Sequence, residues 1–170
     1  MDALNGVVGI APTDPRVLPL IETHLALMRA TSPAESVHAL PPERLSEAGV
    51  KFFAILDGEE AVAMGALKPL GDRAGEIKSM HVRASQRGHG LADRMLRHLI
   101  AEARAAGLSE LLLETGARPA FAPARAFYAR HGFTDCPPFA DYLADAESVF
   151  MRLPLDRAAQ SPQNGAQAVP

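Results

Sequence analysis

The six residues Arg87-Gly88-His89-Gly90-Leu91-Ala92 carry the strongest chemical signal in the chain. Two glycines set two apart permit a tight turn and let a ligand approach the main chain with no Cβ in the way. An apolar-rich segment, Glu76 to Val82, precedes them, and a helical run from Leu91 to Ala106 follows. The free N–H groups of a helix's first turn, with the helix dipole behind them, attract anions. Arg87 adds a cation at the mouth. Together these residues can hold a phosphate-bearing ligand. Two common phosphate loops fit poorly. A P-loop needs Lys then Ser or Thr after its last glycine, and none stands here. A dinucleotide fingerprint needs a third glycine where this chain has Asp93, and a parallel sheet ahead of it.

The elements that would position this loop can be read from pattern. Val7 to Ile10 suits a short strand. Asp14-Pro15 reads as a helix N-cap followed by proline, starting a helix to about Ala30 with the stripe Val17, Ile21, Leu25 and Met28. A short helix is expected over Pro42–Ala48. Lys51–Leu56, Ala61–Lys68 and Gly75–Val82 read as strands joined by the turns at Asp57–Glu60 and Pro69–Gly75, an antiparallel meander. After the glycine loop, Leu91, Met95, Leu96, Leu99, Ile100 and Ala103 form one buried helical face, and Gly107 ends it. Leu111–Thr115 is a short apolar strand, Pro123–His131 a helix stopped by Gly132, and Ser148–Leu153 a last strand. Residues 1–155 therefore read as a single α+β domain, an α/β/α sandwich with a mixed, mainly antiparallel sheet and helices on both faces. Residues 156–170, rich in Gln, Ala, Pro and Gly, read as a disordered tail.

Composition narrows the partners. The chain has 170 residues, 48% hydrophobic and 22% charged, ordinary for a globular domain. Its net charge of −3 argues against nucleic acid as a partner. No apolar run reaches the length of a membrane span and the N-terminus lacks the form of a signal peptide, so a cytoplasmic protein is expected. The lone Cys136 suits a reducing compartment. The six histidines stand singly, without the close pairs of a zinc site, so no metal is expected.

Arg87-x-x-Gly90-x-Ala92 resembles the Arg/Gln-x-x-Gly-x-Gly/Ala pattern of the GNAT (Gcn5-related) N-acetyltransferases. The context fits that resemblance: a strand before, a long helix after, then Leu111–Thr115, then Ala126-Phe127-Tyr128-Ala129-Arg130-His131-Gly132-Phe133, similar to the family's Tyr-x-x-x-Gly-Phe element. Gly65-Ala66-Leu67-Lys68, Gly75 to Met80, Leu113-Glu114-Thr115-Gly116, Pro138 to Tyr142 and Ser148 to Met151 further resemble a bacterial, YsnE-like branch of the family. The likeness spans roughly residues 5–153.

The resemblance implies acetyl-CoA as cosubstrate, its pyrophosphate held by Arg87, Gly88, His89, Gly90, Leu91 and Ala92. It implies a sheet splayed near Met80, where backbone groups of Met80, His81 and Val82 meet the pantetheine arm and an N–H near Met80 polarises the thioester. Thr115 and Phe127 would line the arm's channel. The family often places an asparagine near Phe121–Arg125, and this chain has none there. Catalysis needs a base for the ammonium and an acid for the thiolate. Glu76 is the candidate base; strand alternation puts Glu76, Lys78 and Met80 on one face. An ion pair of Glu76 with Lys78, or Lys78 meeting a substrate carboxylate, stays open beside it. Tyr128 is the candidate acid, with a core aromatic as the alternative. His24, Met28, His38, Lys68, Lys78 and Tyr142 are the acceptor-site candidates, suited to a small-molecule amine such as an amino acid. A protein or peptide amine, a CoA-binding sensor without turnover, and a homodimer remain open.

Overall fold

The computed structural model describes residues 6–155. The expected tail from residue 156 lies outside the described residues. Among them, strands β1 (Val7–Gly9), β2 (Lys51–Asp57), β3 (Glu60–Gly71), β4 (Ala74–Val82), β5 (Glu110–Gly116), β6 (Thr134–Cys136) and β7 (Ser148–Pro154) form one sheet. Its order is β1-β2-β3-β4-β5-β7-β6, and every neighbouring pair is antiparallel except β4 with β5. The helices are α1 (Leu18–Thr31), α2 (Pro42–Leu45), α3 (Leu91–Ala105) and α4 (Ala122–Arg130). None of them is long and apolar enough to cross a membrane.

Alternation along the central strands divides the core. Phe52, Ala54 and Leu56 of β2, with Met64 and Ala66 of β3, pack against Leu20, Ile21 and Leu25 of α1 and Leu45 of α2. Phe53 and Ile55 point the other way, to Leu91, Met95, Leu96 and Leu99 of α3, in a cluster that also holds Leu111, Leu113, Tyr128 and Phe133. A strand covered on both faces has no need of a polar side, which explains the unbroken apolar run Phe52–Leu56. The four α3 residues are at most 1% exposed, so truncating any one to alanine should cost about 2–5 kcal/mol.

Three features depart from the sequence reading. Helix α1 begins at Leu18, not at Pro15. The Asp14 carboxylate accepts bonds from the Arg16 backbone N–H at 2.9 Å and its guanidinium at 2.9–3.0 Å, which holds a turn ahead of the helix. Strand β6, only Thr134-Asp135-Cys136, was absent from the expected elements. It is an edge strand that exists by pairing with β7.

The third departure bears on the site. In the β3–β4 ladder, Ala66 pairs with Lys78 but Met64 pairs with His81, so Ser79 and Met80 together oppose Gly65. This is a β-bulge, and Ser79 sits in the left-handed region at φ 56°. The extra residue inverts the alternation. Met80 therefore faces α3, not the side of Glu76 and Lys78 as simple alternation predicted. A Cβ on Gly65 would lie 3.0 Å from Met80 Sδ, Met95 Cγ and Leu99 Cδ1. His81 instead turns with Lys78 toward the α1 side. On its other edge the sheet opens before the bulge is reached, because β4 pairs with β5 only at Ala74, Gly75 and Glu76. From Ile77 onward the β5-facing edge of β4 has no ladder partner.

Candidate functional site

A cavity of about 680 Å³ runs through this opening. It extends from the glycine loop and α4, between β4 and β5, to α1 and residues 36–39. His24, Met28, His38, Lys78, Met80, His81, Val82, Arg87, Gly88, Gly90, Leu91, Ala92, Thr115, Phe127 and Tyr128 border it. Glu76, Lys68, His89 and Tyr142 are not among its lining residues. Lys68 lies opposite Glu76 in the β3–β4 ladder, and His89 is exposed on the loop.

At the loop end, Gly88 and Gly90 have φ of 82° and 78°. A Cβ at either would meet nothing within 4 Å, so conformation, not crowding, favours glycine there. Gly90 is the N-cap of α3 and no side chain caps it. The first amides of α3 thus lack intrahelical acceptors and border the cavity. Asp93, a carboxylate in this first turn, is held by Arg97 and His131, each at 3.0 Å. That pairing offsets a charge that would otherwise oppose an anion. Arg87 is exposed, with its Nε donating to the Val82 carbonyl at 3.4 Å. A donor set of amides plus one guanidinium suits the diphosphate of a CoA thioester.

Beneath the end of the cavity lined by α1 and residues 36–39 lies a buried polar network. The Lys78 ammonium donates to the His38 carbonyl at 3.1 Å, to Glu76 Oε1 at 3.2 Å and to Tyr142 Oη at 2.8 Å. An ammonium has three protons, and these three acceptors use them all. Tyr142 in turn donates to Glu76 Oε1 at 2.5 Å. Burial first, then the neighbouring Glu76, pushes the Tyr142 phenol far above its ordinary range. Glu76 is 2% exposed and sits behind Lys78, not on the cavity wall. Across the same end, Ser36 Oγ donates to Asp145 Oδ2 at 2.6 Å, so residues 34–39 and 139–147 are tied to each other and to β4.

Two further groups face the cavity here. Glu114 of β5 accepts from Ser148 Oγ at 2.7 Å, and burial raises its carboxyl above the usual range. His24 and His81 meet with their Nδ1 atoms 3.0 Å apart, and burial lowers both imidazoles from 6.5 to about 4. At the α4 end, the Tyr128 ring packs edge-on to Phe127 and Phe133 with centroids 5.3 and 5.6 Å away, and burial keeps its phenol well above the ordinary value. Arg125 donates to the Gly116 and Arg118 carbonyls at 2.7 and 3.1 Å, tying the end of β5 to the turn before α4.

Sequence reasoning passed over Glu114 and the bulge at Ser79. Glu114 left one signal, a carboxylate inside the apolar run Leu111–Leu113 and its continuation. Ser79 left none, since the left-handed position carries neither Gly nor Asn.

Comparison with known proteins agrees with this geometry. The profile of the Acetyltransferase (GNAT) family matches residues 20–133. The chain is 45% identical over 139 residues to the uncharacterized N-acetyltransferase YsnE of Bacillus subtilis, covering 82% of this chain and 92% of that one. It is 41% identical over 143 residues to the uncharacterized N-acetyltransferase YedL of Escherichia coli, covering 84% and 90%. A solved Klebsiella pneumoniae structure assigned as an acyl-CoA N-acyltransferase superposes with a TM-score of 0.73 at 34% identity, over 91% of this chain and 99% of that one. A sheet that opens beside an amide-rich glycine loop thus occurs in a chain that belongs, by sequence and by fold, to the GNAT family of acetyltransferases.

Proposed function

We propose that the protein moves the acetyl group of acetyl-CoA to the amine of a small molecule by direct attack, with both substrates in the cavity together. The observation that carries this reading is the continuity of one cavity from the glycine loop, past Met80 and His81, to an end walled by α1 and residues 36–39. The Ser36–Asp145 bond and the three-way grip of Lys78 hold residues 36–39 in place as a wall of that end, which favours a compact acceptor over a peptide laid across the surface. Bound acetyl-CoA supplies the activated acyl thioester. Arg87 and the amides of Gly88 to Ala92 hold its diphosphate, with His89 at the solvent side of the loop. The unpaired edge of β4 near Met80, His81 and Val82 donates to the carbonyl, where negative charge develops. Thr115 and Phe127 flank the arm. Tyr128, kept protonated by burial, gives its proton to the departing sulfur. The cytoplasm is the compartment this reading implies.

The acceptor end refines the sequence candidates. Lys78 has no proton left for a substrate carboxylate, so it serves as the clamp for His38 and Tyr142. Glu76 is its buried counter-charge and not the base. Glu114, which borders the same cavity, serves as the carboxylate that meets the acceptor's ammonium, and His24, Met28 and His38 line that cavity with it. Lys68 has no part in the site. The test is thiol release from acetyl-CoA over amino acids, alkyl and aromatic amines, polyamines and peptides. Turnover with small amines is expected; turnover with peptides alone would overturn the acceptor class, and protection by CoA without any turnover would favour a sensor.

A further inference from the structure

With Glu76 locked behind Lys78, and Glu114 serving as the counter-charge that holds the ammonium, the proton needs a separate route out, and the cavity wall holds one. His24 comes from α1 and His81 from β4, 57 residues apart in sequence, and both are only 8% exposed. Their rings meet edge-on with centroids 5.1 Å apart. At 3.0 Å the two Nδ1 atoms share one proton: one ring must be its donor and the other its acceptor. Both Nδ1 atoms being thus engaged, each ring keeps its Nε2 for the cavity that both line. The bulge at Ser79 is what turns His81 to this side, immediately after the Met80 position at which the thioester is aimed.

We propose that His24 and His81 form a two-imidazole relay that takes the proton from the incoming ammonium and carries it out of the acceptor chamber. The proposal rests on the acetyl-transfer reading above. In the starting pair His81 carries its proton on Nδ1 and His24 on Nε2. The ammonium gives a proton to His81 Nε2, freeing the nitrogen lone pair for attack. His81 passes its Nδ1 proton to Nδ1 of His24, and His24 releases its Nε2 proton to water. One proton enters, one leaves, and both rings end neutral with their tautomers exchanged; water at the two Nε2 atoms returns them between turnovers. The charged groups that bear on the pair are cations, Lys78 on β4 acting on His24 and Arg87 in the loop acting on His81. With burial they hold both rings near pKa 4, so about one ring in a thousand is charged at neutral pH. The pair is therefore a conduit that does not trap the proton.

Two measurements test it. The first needs no acceptor: histidine 15N spectra of the wild-type protein at neutral pH should show one ring of the pair protonated at Nδ1 and the other at Nε2. Two rings of one tautomer, or a charged ring, overturn the relay. The second follows thiol release from acetyl-CoA with benzylamine, an ammonium in neutral solution, across a pH profile. In His24→Gln and in His81→Gln, benzylamine turnover should fall about a hundredfold at neutral pH, and the deficit should shrink as the solution becomes alkaline and the amine loses its proton to solvent. A deficit of the same size at every pH, or none at neutral pH, overturns the relay. Protection of each variant by CoA against melting shows that the cofactor end is intact. A wild-type protein that CoA fails to protect would instead sink the transfer reading itself.

Discussion

Replacing Glu76 by glutamine should damage the protein's stability and leave its chemistry nearly whole. Glu76 Oε1 receives both Lys78 Nζ at 3.2 Å and Tyr142 Oη at 2.5 Å, and the two charged side chains are 3% and 8% exposed. Removing one partner of a buried pair leaves the other charge uncompensated, which costs about 3–5 kcal/mol. Glutamine keeps one acceptor oxygen for Lys78 or Tyr142, so the lower end of that range, about 3 kcal/mol, is the expectation. For a domain of this size each kcal/mol moves the melting temperature by about 2–4 °C, giving a fall of roughly 6–12 °C. Adding Lys78→Met removes the stranded cation, and the double variant should recover to within about 1–2 kcal/mol of wild type. Turnover per folded molecule, read by thiol release under conditions where each variant is folded, should stay within a few-fold. A catalytic base would behave in the opposite way, losing about 10²–10⁴-fold in rate, mostly on the acid side of the profile. Glu76→Gln with an unchanged melting temperature and such a rate loss would refute the structural assignment.

Other expectations follow from the same geometry. Tyr128→Phe should lower turnover by about 10²-fold while acetyl-CoA still binds, since only a hydroxyl at the cavity wall is lost; an intact turnover number, measured by the same thiol assay, would remove Tyr128 from the mechanism. Gly116→Ala would place a Cβ 2.1 Å from Phe121 Cδ2, so the turn before α4 must shift. A loss of about 1–3 kcal/mol in a denaturant melt is expected, and an unperturbed melt would contradict that crowding. Acid should weaken the fold through the histidine pair. Both imidazoles sit near pKa 4 when folded against 6.5 unfolded, so between those values the unfolded chain binds more protons and stability falls as pH drops. From about pH 7 to about pH 5, His24 alone accounts for about 2 kcal/mol. His81 adds in the same direction, less what solvent in the cavity screens. Glu114, raised in the folded state, opposes the trend by gaining its proton there first. His24→Gln should flatten the slope of melting temperature against pH; an identical slope would count against the buried neutral pair.

Much of the fold was legible because its signals are local. The meander from Lys51 to Val82 shows as apolar runs between turn residues, and α3 as an apolar stripe ended by Gly107. The glycine loop was legible for the same reason: only a residue without Cβ takes φ near 80° without strain, so the need is written in the residue type. The site's polar network was illegible because its bonds join distant segments. Lys78 reaches His38 and Tyr142, 40 and 64 residues away, and its His38 contact is to a carbonyl that any residue would supply. The bulge misled alternation for another reason. Ser79 adopts a left-handed conformation that its side chain does not advertise, and one inserted residue was enough to move Met80 off the Glu76 face and bring His81 onto it. Strand β6 is too short to show a period, and its pairing with β7 is settled by the sheet.

In the transfer we propose, amides of the glycine loop and the first turn of α3 grip the diphosphate of a CoA thioester. Backbone 15N–1H spectra recorded through a CoA titration test it directly. Saturable shifts concentrated at Gly88, Gly90, Leu91 and Ala92 are expected, with a rise in apparent stability of about 2.7 kcal/mol once free CoA reaches a hundred times its Kd. Spectra in which these four amides stay fixed at saturating CoA, with no gain in melting temperature, would contradict it.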